Sequence, residues 1–265
     1  MRITTPLQPR WSFAGLLVCF VLAVLLLASW LFAPTHAVWE SLDTQAFYLL
    51  NEPLAHYPAW AWVWAVGSVR VTDLAVAALM LLLVMRGDLF FPAAQVRLAL
   101  IWLVMAMVLL LVLRTGFNQL VKALDWQHAG PSLQLTAVRL SEMFVGWEQW
   151  GLKDASKRSF PGDHASVLML WGLFLARVAR WPARIGLLLL VCVLMMPRLV
   201  AGAHWLSDNA VGGLFIALLS FTLSVHTPYV LRGALWLENR LQPLLAWLQR
   251  LPWVGNWAVL RQYQS

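Results

Sequence analysis

The sequence predicts an all-α integral membrane protein: six transmembrane helices, then an amphipathic helix lying in the membrane interface. Three observations carry this prediction. Of 265 residues, 61% are hydrophobic and only 12% charged, about half the charged share of an ordinary soluble domain. Apolar runs close to the length that crosses a bilayer recur along the chain. Seventeen tryptophans match a residue that collects where membrane meets water.

The first span covers about residues 13–32 behind "MRITTPLQPR". Its apolar core is longer than that of a secretory signal, so "THA" before Val38 is a weak cleavage site and the span is expected to be a retained anchor. The second, about 66–85, carries Arg70 and Asp73. The third covers about 98–113, with helix extending toward Leu120. The fourth, about 167–179, is short unless it starts inside the preceding histidine turn. The fifth and sixth run over about 185–197 and 210–225. Beyond them Leu237, Leu241, Leu244, Leu245 and Leu248 recur at helical spacing among charges, the pattern of an interfacial helix. No internal repeat or low-complexity tract is evident. Residues 1–228 read as the membrane domain and 229–265 as a cytoplasmic interfacial helix and tail.

Charge gives orientation. Arg2, Arg10, Arg86, Arg97, Arg177, Arg180, Arg184, Arg232, Arg240, Arg250 and Arg261 fall on one side, with only Asp88 and Glu238 against them. Positive residues stay in the cytoplasm, so both termini are expected there. The net charge of +7 is scattered between spans rather than striped along a face, which excludes a nucleic-acid partner. Cys19 and Cys192 sit in apolar runs, so no disulfide is expected. No cysteine–histidine or carboxylate cluster calls for a metal, and no cofactor is implied.

The opposite side gathers chemistry. Near the end of span three stand Lys122 and His128; "KDASKRSFPGDHAS" holds Lys157, Arg158, Gly162, Asp163 and His164; "PRLVAGAHWLSD" holds Arg198, His204 and Asp208. His204 and Asp208 are four apart and share a helix face. A carboxylate on one imidazole nitrogen fixes the tautomer and makes the other a better nucleophile. Gly202 lets the chain bend between Arg198 and His204. His164 follows Pro161 and Gly162 just before span four, where free N–H groups and the helix dipole favour a phosphate. Two histidines, one beside an acid, with several cations suit phosphoryl transfer, which needs mainly positioning and electrostatics.

The spacing of "RLVAGAHWLSD" resembles the third motif of the type 2 phosphatidic acid phosphatase (PAP2) superfamily: Arg, five residues, His, three residues, Asp. "FPGDH" is similar to its second motif, usually Pro-Ser-Gly-His, with Pro161 and His164 kept and Gly162-Asp163 in place of Ser-Gly. The first motif, Lys, six residues, Arg-Pro, is altered: His128 follows Lys122 one residue early, and either it or another cation such as Arg139 or Lys157 takes the arginine's place. Within the superfamily the "KDAS…SFPGDH" stretch most resembles the lipid A phosphotransferases. That resemblance implies a PAP2-type helical bundle in a bacterial inner membrane with a periplasmic site. It implies undecaprenyl diphosphate as donor, lipid A as acceptor and membrane lipids as surroundings. It also implies that His204 attacks phosphorus to form a phosphohistidine, that Asp208 orients it, and that His164 acts as acid and then base. Arg198, Lys122 and Lys157 or Arg158 would hold the phosphate oxygens.

Blander roles stand beside these. Lys153, Lys157 and Arg158 are either a solvated loop or phosphate ligands. Arg70 and Asp73 are expected to form a structural ion pair, with support of the site as the alternative, and Asp163 either tunes His164 or caps the following helix. Glu142 and Glu148 read as loop surface, Trp60, Trp62 and Trp64 as an interface belt, and His36, His56 and His226 as interfacial. Three activities remain: the phosphotransferase, a lipid phosphatase of the same superfamily, and a non-catalytic binder of anionic lipids.

Overall fold

The computed structural model describes residues 7–250, which contain twelve α-helices and no strand. In chain order these are α1 (Phe13–Leu31), α2 (Ala33–Asn51), α3 (Pro53–His56), α4 (Pro58–Gly67), α5 (Arg70–Met85), α6 (Val96–Ala123), α7 (Pro131–Gln134) and α8 (Leu140–Met143). They continue with α9 (Asp163–Ala176), α10 (Trp181–Val200), α11 (Leu214–Val225) and α12 (Tyr229–Gln249). A wider π-helical turn, Asp208–Gly213, leads into α11.

Four of the described helical segments are long and apolar enough to cross a membrane: Phe13–Leu31, Ala93–Ala123, Trp181–Val200 and Asp208–Val225. A fifth candidate is the pair α4 and α5, bent by 66° at its break. The protein is therefore a helical membrane protein. α11 lies at the centre, packed on α1, α6 and α9, while α10 packs on α9, α2 and α4. Trp171, Phe174, Leu110 and Ile216 fill the shared core. Without water to drive helices together, interhelical hydrogen bonds contribute: Trp102 donates to the Ser224 carbonyl at 3.0 Å and Ser220 to that of Ala106 at 2.9 Å. Leu17 and Leu25 of α1, Val108 and Val112 of α6, and Leu188 and Val193 of α10 face outward, as apolar side chains do where lipid is the solvent.

Two expectations need correction, and one alternative left open for span four is resolved. Span two is not one rod: the helix stops at Gly67, Val69 is extended, and α5 starts afresh at Arg70. Hydropathy is blind to such a break, because Gly67, Ser68 and Val69 are as apolar or small as their neighbours. Span four begins inside the histidine turn, at Asp163, and ends at Ala176. The stretch before span two is helical too, through α2, α3 and α4, although it is too polar or too short to be read as spans.

α12 docks on α6. Leu231 and Ala234 are buried, Gly233 meets the Met105 side chain, and Arg97 pairs with Glu238 at 2.6 Å. Glu238 therefore has a protein partner rather than serving only a wetted face. Residues 251–265 of the expected interfacial tail lie outside the described residues.

Candidate active site

The C-terminal end of α10 carries Arg198, which is 5% exposed. The chain then turns sharply: Ala203 and His204 both donate their N–H groups to the Arg198 carbonyl, and Gly202 takes a φ of +77°. An L side chain rarely adopts that φ. This turn brings His204 and then Asp208 back beside the end of α10. The Asp208 side chain reaches back to the Trp205 N–H at 2.7 Å, as an acid in a helix's first turn does.

Asp208 is completely buried. Its Oδ1 lies 2.9 Å from His128 Nε2, and its Oδ2 lies 3.6 Å from His204 Nδ1. The hydrogen bond that settles the His204 tautomer comes from elsewhere: Nδ1 is 2.8 Å from the Ser159 carbonyl. A carbonyl only accepts, so Nδ1 carries the proton and Nε2 keeps its lone pair. That Nε2 is buried with no hydrogen-bond partner among the described residues. Asp208 adds negative charge beside a ring already oriented by the backbone.

The Ser159–His164 stretch is clamped onto this turn. The Gly162 N–H donates to the Asp208 carbonyl at 2.9 Å, and a Cβ on Gly162 would sit 2.2 Å from Asn209 Oδ1. Only glycine permits that approach. His164, in the first turn of α9, points Nε2 at Asp73 Oδ2, 3.5 Å away. The same oxygen receives Arg198 Nη2 at 2.7 Å. Asp73 thus sits between Arg198 and His164, and the expected Arg70–Asp73 pair does not form.

The helix break supplies the rest of the Arg198 cradle. With the helix interrupted, the Ser68 carbonyl is free to accept Arg198 Nη1 at 2.9 Å and the Lys153 N–H at 3.1 Å, and the Lys153 carbonyl also faces Nη1 at 3.3 Å. These contacts fix the guanidinium plane. A groove of about 640 Å³ opens here. Its walls are apolar, from Trp64, Val76, Val167 and Leu194; its polar end holds Asp73, Arg114, Asp163, His164 and Arg198.

The other predicted residues fall as follows. Asp163 lies 3.6 Å from Arg114 and caps no helix; the N-cap of α9 is Gly162, with no side-chain cap bond. His128 lines a separate cavity of about 750 Å³ with Asp43, Trp126 and Trp205. Burial alone would lower the His128 pKa, but the Asp208 carboxylate outweighs it and raises it above 6.5. Lys122, Lys157 and Arg158 are exposed and line neither cavity. Lys153 is drawn in instead: desolvation and the nearby Arg198 hold its pKa below the usual lysine value, with Asp163 and Asp73 as counter-charges. Asp43 sits beneath the turn, accepting from the Ser207 N–H at 2.7 Å and its hydroxyl at 2.5 Å. Burial pushes the Asp43 pKa up to about 6. No group of three or more His, Cys, Asp or Glu among the described residues is arranged to hold a metal.

Arg114, at the polar end of the groove, was not read as a site residue; the sequence leaves Lys153 open between solvated loop and phosphate ligand, and Asp73 between structural ion pair and support for the site. For Asp73 the signal was present, an acid inside an apolar span, but its partner was misassigned. The Ser159 carbonyl has no sequence signal at all.

Residues 125–232, which hold this whole turn, match the model of the PAP2 superfamily. Over 214 residues the chain is 31% identical to lipid A 1-diphosphate synthase of Escherichia coli (strain K12), covering 78% of this chain and 85% of that protein. The chain belongs to the PAP2 superfamily. Its members are lipid phosphatases and phosphotransferases, so the protein is an enzyme of that kind. No solved structure matches it. The PAP2 match begins at Asp125, just past Lys122, and so includes His128 but leaves out the altered motif's lysine.

Proposed function

We propose that this protein moves a phosphoryl group from undecaprenyl diphosphate to the 1-phosphate of lipid A through a phosphohistidine. One observation carries the chemistry: His204 is held with its proton on Nδ1, leaving a buried Nε2 with no hydrogen-bond partner among the described residues. The similarity to a lipid A 1-diphosphate synthase carries the choice of substrates.

The His204 Nε2 lone pair attacks the terminal phosphorus. The P–N bond forms as the bridging P–O bond breaks, and its electron pair leaves on the lipid phosphate oxygen. His164 gives that oxygen a proton. In the second half an acceptor oxygen attacks the phosphohistidine, the P–N electrons return to His204, and His164 takes any proton the acceptor loses. Asp208 stabilises the charge that His204 acquires. Arg198 offers its fork to the phosphoryl oxygens, with Arg114 and Lys153 beside it. The apolar groove is of the right character for the donor's hydrocarbon.

Six spans follow if the bent α4–α5 pair is one crossing and the 14-residue α9, about 21 Å long, is another. α1, α6, α10 and α11 are the rest. The arginine distribution supports both termini in the cytoplasm and the site on the opposite face, and the likeness to the Escherichia coli enzyme supports a bacterial inner membrane with a periplasmic site. α12 lies along the cytoplasmic interface, with residues 1–228 forming the membrane domain.

The test uses purified protein with donor labelled at its terminal phosphate, with and without lipid A. Label should move to lipid A and pass through an acid-labile, base-stable adduct on the protein. Replacing His204 with Ala should abolish both. Release of free phosphate at the same rate without lipid A would make the enzyme a phosphatase. An adduct that survives His204→Ala would remove His204 as nucleophile.

A further inference from the structure

A third cavity, of about 620 Å³, lies at the opposite end of the bundle, between the chain before α1, the end of α9, the end of α11 and the start of α12. Trp102 on α6 marks its level. Lys122, at the site end of the same helix, is twenty residues on, roughly 30 Å away along the axis. The catalytic reading makes no use of this cavity.

Its charges are one-sided. Arg10, Arg177 and His226 line it, and among the described residues lining it none is acidic. Neither arginine forms an ion pair with a described residue. Burial and the neighbouring Arg10 both depress the Arg177 pKa, and burial with Arg177 does the same to His226. Arg10 and Arg177 are exposed and His226 is half-buried beside them, a like-charged cluster whose field favours an anion joining it.

Arg177 is also held in place. The Arg177 guanidinium lies over the Trp102 ring, 5.2 Å from its centroid. Trp102 is itself fixed through Nε1 to the Ser224 carbonyl. The Ser12 N–H donates to the His226 carbonyl at 3.0 Å, tying the chain before α1 to the end of α11. Ser12 and Thr227 add hydroxyls to the lining. Apolar Val178, Val225 and Leu231 form the remaining wall. A cationic fork over an aromatic ring, beside hydroxyls and an apolar wall, fits a phosphate that carries acyl chains.

We propose that this cavity binds the phosphate headgroup of an anionic membrane lipid in the leaflet opposite the catalytic site. Arg10 and Arg177 grip the phosphate and the apolar wall meets the first methylenes. A lipid is favoured over free phosphate because the cavity's wall is partly apolar and it sits at the helix ends of a membrane bundle. The bound lipid tethers the chain before α1 to α9 and α11.

The experiment places the full chain in nanodiscs of phosphatidylcholine alone or of an equal mixture with phosphatidylglycerol. Retained lipid is read by native mass spectrometry and the unfolding midpoint by thermal melt. Wild type should retain phosphatidylglycerol and melt higher in the mixture. The Arg10→Gln, Arg177→Gln double variant should bind it about tenfold or more weakly and melt equally in both discs. Arg177→Lys, which keeps the charge but loses the fork, should fall between them and shows that the fold survives change at this position. Inorganic phosphate added to phosphatidylcholine discs should not raise the midpoint. The proposal is overturned if phosphatidylcholine is retained equally well, if inorganic phosphate alone reproduces the shift, or if the glutamine variants keep the wild-type response. Should the double variant not fold, the Arg177→Gln and Arg177→Lys singles decide by the same readouts. Phosphotransfer by the variants in phosphatidylcholine should match wild type, so failure here is separable from failure of the catalytic proposal.

Discussion

His204 and His164, the two histidines proposed to react, stand in opposite surroundings. His204 is 4% exposed, bonded through Nδ1 to a backbone carbonyl and backed by a fully buried carboxylate. His164 has 43% of its side chain exposed, and its one charged neighbour, Asp73, is 3.5 Å away and shared with Arg198. The difference follows from their proposed tasks. A nucleophile works when its tautomer and direction are fixed before the substrate arrives, and backbone contacts fix them most firmly. An acid that later becomes a base must pass its proton outward, so it gains from access to the groove. Their scaffolds match this: His204 stands in a turn locked by Gly202 and the Arg198 carbonyl, His164 on the first turn of a helix open toward the groove.

That contrast can be broken at several points. His164→Asn should cost about 10²-fold or more in turnover yet still allow slow labelling of His204; loss of the adduct altogether would mean that His164 does more than move a proton. Asp73→Asn should cost about tenfold, because a neutral amide holds Arg198 and His164 less firmly. Turnover unchanged in Asp73→Asn would remove Asp73 from the site.

Smaller effects separate the lysines. Lys153→Met should raise KM for the donor severalfold, while Lys157→Met should leave it within about twofold, as expected of an exposed charge. Equal effects would restore Lys157 to the site.

The smallest effects are in stability. Asp43 keeps its proton to about pH 6 when folded but releases it near 3.8 when unfolded. Its contribution is therefore complete below 3.8 and lost as pH rises to about 6. His128, with a folded pKa raised above 6.5, contributes fully below 6.5 and loses that contribution as pH climbs through the folded value. The unfolding midpoint in detergent should fall through both windows in turn. Asp43→Asn should flatten the lower window and His128→Asn the upper one. A wild-type midpoint that rises with pH across either window would contradict the assignment.

Much of the fold was legible because hydropathy is a local property. The spans at 13–32, 98–113, 185–197 and 210–225 correspond to α1, α6, α10 and the Asp208–Val225 segment, within a turn or two at most ends. Span two was misread because its break is a backbone event at Ser68 and Val69, which leaves composition unchanged. Arg198, His204 and Asp208 were legible because their spacing lies within one turn and one helix start. Asp73, more than a hundred residues earlier, was visible only as an oddity.

By itself the sequence determined the solvent, the family and the candidate site residues. Apolar runs choose lipid regardless of partners, and short-range spacing places a histidine and an acid on one face. Only the tertiary structure decided which nitrogen of His204 is free, which acid meets Arg198, and which lysine lies near it. Those outcomes rest on a carbonyl at Ser159, another freed at Ser68, and the packing of α5 against α10's end. Backbone carbonyls are the same in every residue, so only the folded chain can say where they point.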